Sequence, residues 1–472
     1  MTPMDQLSTH SVLDAEPHRE FQHETSSTRS SQNKNLVSIL VVLAAFVCMF
    51  TSCGINFAFG VYQELYESMS TSGEPSPFAG ASPAQIDLIG TLAISLMSLG
   101  APLASAWCKS YSPRTVTLAG ALMFALANVL ASFGKKLWHF FLTQGILLGV
   151  GTCLTYIPAA TVTPGWFTKH RGLAIGILSS GTGFGGVFWA PVLRALNSAI
   201  GFRNTLRLAG GLSFILLGCS AMILKWEPGI EQRNRINLQS SRSRLLVPLV
   251  DWRVARSRKF VAQCMSAGLQ GAVYYAPLYF LSTYARTLGY SAATGALFIS
   301  LTNASSAIGK VIIGYTADRV GRLNILFLTT FISAVTTWGL WLPSTLSGGD
   351  KDGKNLFAAF AILYGIFAGA YISLFPTALV ELFGVQHFAD VNGFLYMVRG
   401  LAALVGTPIA GVLIRGSDRG ADGIGLSKAY FKTSILVGTL LTGTTVAVAW
   451  ARIEAASGLG GRTEGRKMRW RL

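Results

Sequence analysis

The chain has 472 residues, of which 51% are hydrophobic and only 12% charged, with 51 glycines and a formal charge of +17. Soluble globular domains carry about 25% charged residues, so this composition excludes an ordinary soluble enzyme or binding module and points to lipid as the solvent. The positive charge is spread between apolar runs rather than gathered on one module, which argues against nucleic acid as a partner.

A bilayer core of about 30 Å asks for roughly 20 apolar residues per helical span. Twelve such segments are predicted, at 36–64, 84–106, 114–133, 138–163, 172–200, 207–226, 260–284, 292–317, 323–343, 356–383, 389–415 and 430–452. The reading is an all-α polytopic membrane protein with five parts: a disordered polar tail at 1–35, a six-helix bundle at 36–226, a basic linker at 227–259, a second six-helix bundle at 260–452, and a basic tail at 453–472. The linker and the alternate loops carry the excess of Lys and Arg, so both termini are expected in the cytoplasm. The tail residues Arg462, Arg466, Lys467, Arg469 and Arg471 fit an anionic inner leaflet and equally a solvated end. The six cysteines have neither disulfide nor metal-ligand spacing, and no cofactor or metal is expected.

The halves repeat. Gly176 and Pro191 in the fifth segment stand 15 residues apart, as do Gly393 and Pro408 in the eleventh, at an offset of 217; Pro158 and Pro376 are offset by 218. Three landmarks in matching order indicate duplication.

In the first segment Asn56, Phe59 and Gln63, and in the seventh Tyr274, Tyr275 and Tyr279, could receive a flat or apolar solute and orient it; helix packing is the competing reading for each. Tyr156, Tyr364 and Tyr371 are weaker candidates on the same grounds. Two cations fall inside apolar segments, where a charge is expensive and tends to face a cavity. Lys310 lies eight residues before Asp318, so it either faces a cavity or snorkels to the surface. Arg399 lies near the midplane and is read as an anion anchor, with a structural tie between helices as the alternative. Glu64, Asp87, Glu381 and Asp390, near segment ends, are expected to be solvated. The stretch Gly181 to Gly186 spells G-x-G-x-x-G but sits inside an apolar helix, where small residues serve close helix contact rather than a dinucleotide.

Between segments 8 and 9 the chain reads Gly314-Tyr315-Thr316-Ala317-Asp318-Arg319-Val320-Gly321-Arg322, a tight charged turn. Here it resembles the major facilitator superfamily, whose signature G-x-x-x-D-R-x-G-R lies at this turn. The corresponding turn Cys108 to Arg114 lacks the Asp. A second stretch, Gly165-Trp166-Phe167-Thr168-Lys169-His170-Arg171-Gly172-Leu173-Ala174-Ile175-Gly176, resembles the helix 4–5 signature of monocarboxylate-porter-like members, fungal ones most.

The resemblance implies a major facilitator fold in which two bundles expose a central site alternately, with Gly314, Asp318, Arg319, Gly321, Arg322, Lys169 and Arg171 in conformational roles and helices 1, 4, 7 and 10 lining the path. The function it implies is secondary or facilitative transport of a small organic anion, held by Arg399 and Lys310, by a protein that is not an enzyme and is monomeric in the plasma membrane. Export of a fungal secondary metabolite is the runner-up and a non-transporting nutrient sensor the third reading. Animal lactate carriers place a Lys where this chain has Val61, and an Asp and Arg where it has Ser306 and Lys310, so the resemblance does not carry lactate over as the substrate.

Overall fold

The computed structural model describes residues 35–72, 75–240, 250–347, 349–417 and 427–457. The tail before residue 35, residues 241–249 of the 227–259 linker and the part of the basic tail beyond 457 lie outside the described residues. Every regular element among those described is helical.

The chain-order helices are α1 (Asn35–Thr71), α2 (Pro83–Leu99 continued by Ala101–Ser110), α3 (Pro113–Ala131), α4 (Leu137–Trp166), α5 and α6 (within Arg171–Ile223), α7 (Arg258–Thr287), α8 (Ala292–Val320), α9 (Arg322–Ser347), α10 and α11 (within Lys351–Ser417) and α12 (Phe431–Ser457). Each of the twelve segments read from the sequence lies in one of them to within a few residues. Among the described residues, eight helices are long and apolar enough to cross a bilayer, and a ninth is counted when the two pieces of α2, bent by 46°, are taken together. Two of the eight are pairs. Gly201 (φ 76°) separates α5 at 171–200 from α6 at 202–223, and Gly384 (φ 75°) separates α10 at 351–383 from α11 at 385–417, a backbone region that glycine enters without steric cost. The remaining segment, α7, is less apolar because it buries Gln263, Ser266 and Gln270 along its length.

Local chemistry sets the helix starts. Ser82 accepts from the Gln85 amide in a capping box before Pro83, and Ser112, Ser257 and Ser291 each cap the next helix through their hydroxyls. The break in α2 was not expected from hydropathy. It falls at Gly100, where an added Cβ would stand 2.9 Å from the Cys153 sulfur, so the missing side chain is what lets α2 close on α4.

One apolar core is drawn from residues between Val41 and Trp226 plus Tyr396; two more are drawn from residues between Phe260 and Ala455, with Ile94 joining one of them. The groups of helices meet along two lines, α5 on α8 and α2 on α11. Along the first, a Cβ on Gly172 would lie 2.5 Å from the Gly314 carbonyl, and one on Gly183 would lie 2.5 Å from that of Asn303. In lipid, where apolar burial gives helices no reason to associate, such backbone contact supplies the attraction. The Gly181–Gly186 stretch divides its glycines: Gly181 and Gly185 lie against α1 at Phe46 and Phe50, Gly183 and Gly186 against α8 at Asn303.

Candidate functional site

Arg399 is 6% exposed at the middle of α11. Gly271 of α7 lets it sit there, since a Cβ at that position would come within 2.9 Å of the Arg399 Cα. Its guanidinium lies 5.4 Å from the ring centre of Tyr371, 5.7 Å from Phe375 and 5.3 Å from Tyr396, all within cation–π range. Nη2 donates to Gln270 Oε1 at 3.1 Å, while Nη1 is buried and has no hydrogen-bond partner among the described residues. No carboxylate among the described residues closes the ring of groups around it. An aromatic cage with one amide acceptor stabilises the cation but leaves a donor aimed at whatever enters.

Beside it is a small cavity lined by Met97 and Ser98 of α2, Tyr156 of α4, Gly271 and Tyr275 of α7, Ile372 of α10, and Tyr396 and Arg399 of α11. The Tyr156 and Tyr396 hydroxyls share a hydrogen bond of 2.8 Å between α4 and α11. Helices from both ends of the chain therefore build one polar, aromatic chamber.

Of the residues singled out in the sequence, Tyr275 shares this chamber with Arg399, and Tyr274 and Tyr279 pack on Tyr275 at ring distances of 4.9 and 5.9 Å. Tyr371 caps the cation and bonds Ser266 at 2.8 Å; the Tyr364 hydroxyl donates to the Tyr274 carbonyl at 3.2 Å. The α1 candidates are engaged elsewhere. Asn56 donates to Thr152 at 2.8 Å and so ties α1 to α4, Phe59 fills the space over Gly90, and Gln63 donates to Glu67 on its own helix.

Lys310 is also absent from the chamber wall. It is 2% exposed and its Nζ donates to Thr182 Oγ1 at 2.7 Å and to the Ser179 carbonyl at 3.4 Å, so it neither snorkels to water nor joins Arg399 but ties α8 to α5. Sequence reasoning missed Gln270, Ser98 and Tyr396. Tyr396 was findable, standing three residues before Arg399 and so on the same helical face.

The charged turn forms a second constellation. Asp318 is 4% exposed and accepts from the backbone amides of Gly172 and Leu173 at 2.8 Å each, as well as from Arg322 at 2.9 Å. Those amides are the unsatisfied donors of the α5 N-terminus, whose own preceding residue, His170, provides no side-chain cap. Arg322 reaches on to the Thr168 carbonyl at 3.3 Å, and Arg171 holds the carbonyls of Pro164 and Phe167 at 2.9 and 3.0 Å. Arg319 lies over the Tyr315 ring and donates to its hydroxyl, and Lys169 is exposed. The turn itself needs Gly321, at φ 114°.

Two of the four acids expected to be solvated are not. Asp390 pairs with Lys109 at 2.7 Å, with 21% and 20% of the side chains exposed, joining α11 to α2. Glu381 buries Oε2 without a hydrogen-bond partner among the described residues, in the field of Arg322 and Arg171. Helix ends in this bundle meet other helices rather than water, which position along a segment does not reveal. Glu64 does sit at the surface, paired with Arg194 at 2.7 Å, and Asp87 is exposed.

The sequence pattern of the Major Facilitator Superfamily matches residues 40–407. The chain belongs to that superfamily. It is therefore a multi-pass integral membrane transporter of small molecules and not an enzyme, and the fold is the major facilitator fold. It is 28% identical over 418 residues to an MFS-type transporter of Gibberella moniliformis, covering 89% of this chain and 91% of that one. It is 27% identical to the agnestins efflux protein AgnL12 of Paecilomyces divaricatus, covering 89% of each, and 27% identical to the probable transporter MCH2 of Saccharomyces cerevisiae, covering 86% and 80%. Among solved structures, that of the proton:xylose symporter XylE superposes with a TM-score of 0.66 at 13% identity, covering 88% of this chain and 95% of that one.

Proposed function

We propose that this transporter moves a small organic anion, or a larger metabolite bearing a carboxylate, through a central site anchored by Arg399. The observation that carries the reading is a buried guanidinium with aromatic faces and an amide around it, whose Nη1 has neither a partner nor a carboxylate beside it among the described residues. A carboxylate is the group that would complete such a donor, and the tyrosine faces would receive the body of the solute. The bundles at 36–226 and 260–452 rock about this site, joined by the basic linker at 227–259. In the described state the contacts Asp318 to Gly172 and Leu173, and Lys109 to Asp390, close one end of the path. That end faces the cytoplasm, as do both termini, because the loops on its side hold the excess of Lys and Arg; the membrane is the plasma membrane and the working unit a monomer.

Export of a fungal secondary metabolite is a second reading of the same site, favoured by the similarity to AgnL12 and to the fujikurins efflux protein of Gibberella fujikuroi, 24% identical over 415 residues. One experiment addresses both. Metabolites are compared inside and outside fungal cells that carry the parent chain, Arg399→Gln or no transporter. The expected result is a carboxylate whose distribution depends on the parent chain and is lost in Arg399→Gln, since truncating one partner of a buried charge pair costs about 2–5 kcal/mol, a roughly 30-fold or larger loss of affinity. Normal membrane levels of Arg399→Gln with an unchanged metabolite distribution would overturn the anchor. Accumulation inside cells lacking the transporter identifies export.

A further inference from the structure

The buried polar residues of α7 and α11 form two rungs, and the Arg399 site uses one. Gln270 and Arg399 make the first, at 3.1 Å. Seven residues earlier on each helix stand Gln263 and Asn392. The two helices run in the same direction, with Phe260 near Phe394, Gly268 against Val398 and Gly271 against Arg399, so a step of seven toward the helix starts returns each helix to nearly the same face about 10 Å along its own axis. Between the rungs, Ser266 of α7 bonds the Tyr371 hydroxyl.

Gln263 and Asn392 are both 0% exposed, and neither the nitrogen nor the oxygen of either amide has a hydrogen-bond partner among the described residues. Buried amides normally find partners, and in a lipid-embedded bundle an orphaned one is costly, so two on the helices that hold Arg399 and Gln270 point to a ligand or water that occupies them in another state. Asn392 adjoins, along the chain, the contact of α11 with α2. Gly393, beside it, lies against α2, where its added Cβ would be 2.9 Å from Ser105 Oγ and 3.2 Å from the Ala101 carbonyl; Asp390, two residues away, makes the Lys109 pair.

We propose that Gln263 and Asn392 are a second polar station on the substrate path, between Arg399 and the cytoplasm, which takes the carboxylate or a hydroxyl of the solute once α2 parts from α11. The inference rests on the reading of Arg399 as the central anchor. Two neutral amides offer donors without a fixed charge, so the station holds an anion more weakly than Arg399 and passes it on in either direction.

The test is modification by a membrane-impermeant methanethiosulfonate bearing a sulfonate, a small anion, applied to vesicles of either orientation. Asn392→Cys and, as a marker of the central chamber, Ser98→Cys are compared with the parent chain and its native cysteines. Asn392→Cys is expected to react from the cytoplasmic face several-fold faster than the parent background, and not from the outer face. Reaction at Ser98→Cys with none at Asn392→Cys, or reaction at the latter from the outer face only, overturns the second station and leaves the Arg399 site standing. No reaction at Ser98→Cys from either face overturns both. Should Asn392→Cys not reach the membrane, Gln263→Cys is read by the same outcomes.

Discussion

The two lines along which the halves meet are built from equivalent helices and closed by opposite means. On the α5–α8 line the acid belongs to α8: Asp318 caps the amides of Gly172 and Leu173, Lys310 bonds Thr182 farther in, and glycines keep the backbones in contact between them. On the α2–α11 line the acid belongs to α11. Asp390 occupies the position that Leu173 holds under the repeat offset of 217, and its partner is the Lys109 ammonium rather than backbone. Gly393 and Gly400 lie against the small residues Ser105 and Ser98 and against the α2 backbone at Ala101 and Leu99. Both lines carry a closure, and its chemistry differs between them. The line that keeps the signature uses fixed amide dipoles; the line that lacks it uses a part-exposed ion pair.

Breaking the first closure should have the largest effect. Asp318→Ala leaves two helix-end amides and Arg322 without their acceptor at a site where the carboxylate is 4% exposed. Removing one member of a buried ionic network costs about 3–5 kcal/mol. The expected outcome is a transporter held open at the cytoplasmic end, read as cytoplasmic modification of Ser98→Cys at a raised rate together with a loss of flux. An unchanged modification rate in membrane-inserted Asp318→Ala would mean that the cap does not set the conformational balance.

A step smaller is Gly172→Ala, whose methyl would lie 2.5 Å from the Gly314 carbonyl and 2.9 Å from Asp318 Oδ1. Overpacking of this kind costs about 1–3 kcal/mol, which shifts a two-state balance by roughly 5- to 150-fold. The same accessibility assay should move in the same direction as for Asp318→Ala. Gly218→Ala, on α6, is the control, for an added Cβ there meets nothing within 4 Å and the rate should not change.

These differences explain what the sequence could and could not say. The twelve helices were legible because apolar length and glycine breaks are local, and the charged turn because its Asp318–Arg322 pair is an i,i+4 contact within a few residues of chain. The target of Asp318 was not legible, because backbone amides some 146 residues away carry no side-chain signature. Lys310 and Arg399 looked alike in sequence, both cations in apolar helices. What separates them is their neighbours: Lys310 meets a hydroxyl and a carbonyl on α5, whereas Arg399 meets rings and one amide on α7 and α10 and keeps a donor free. That choice is made by which helix packs opposite, which hydropathy does not encode. Gln270 and Tyr396 were passed over for the same reason, since an amide or a phenol inside a span is read by default as packing.

The smallest effect belongs to the second closure, and it is where the comparison is sharpest. The Lys109–Asp390 pair is about one-fifth exposed on each side, so solvent reaches it and breaking it costs less than the about 3–5 kcal/mol of a buried network. Asp390→Asn should therefore raise cytoplasmic modification of Ser98→Cys by less than either substitution on the α5–α8 line. Because the pair joins two side chains rather than a side chain and backbone, it can be exchanged: Lys109→Asp combined with Asp390→Lys should restore the parent rate, whereas each single change should not. No such exchange exists for Asp318, whose partners at Gly172 and Leu173 are amides that no substitution converts to an acceptor. If the exchanged pair behaves like the worse of its two single variants, Lys109 or Asp390 has a further partner on its own helix, and the closures differ in more than the identity of their donors.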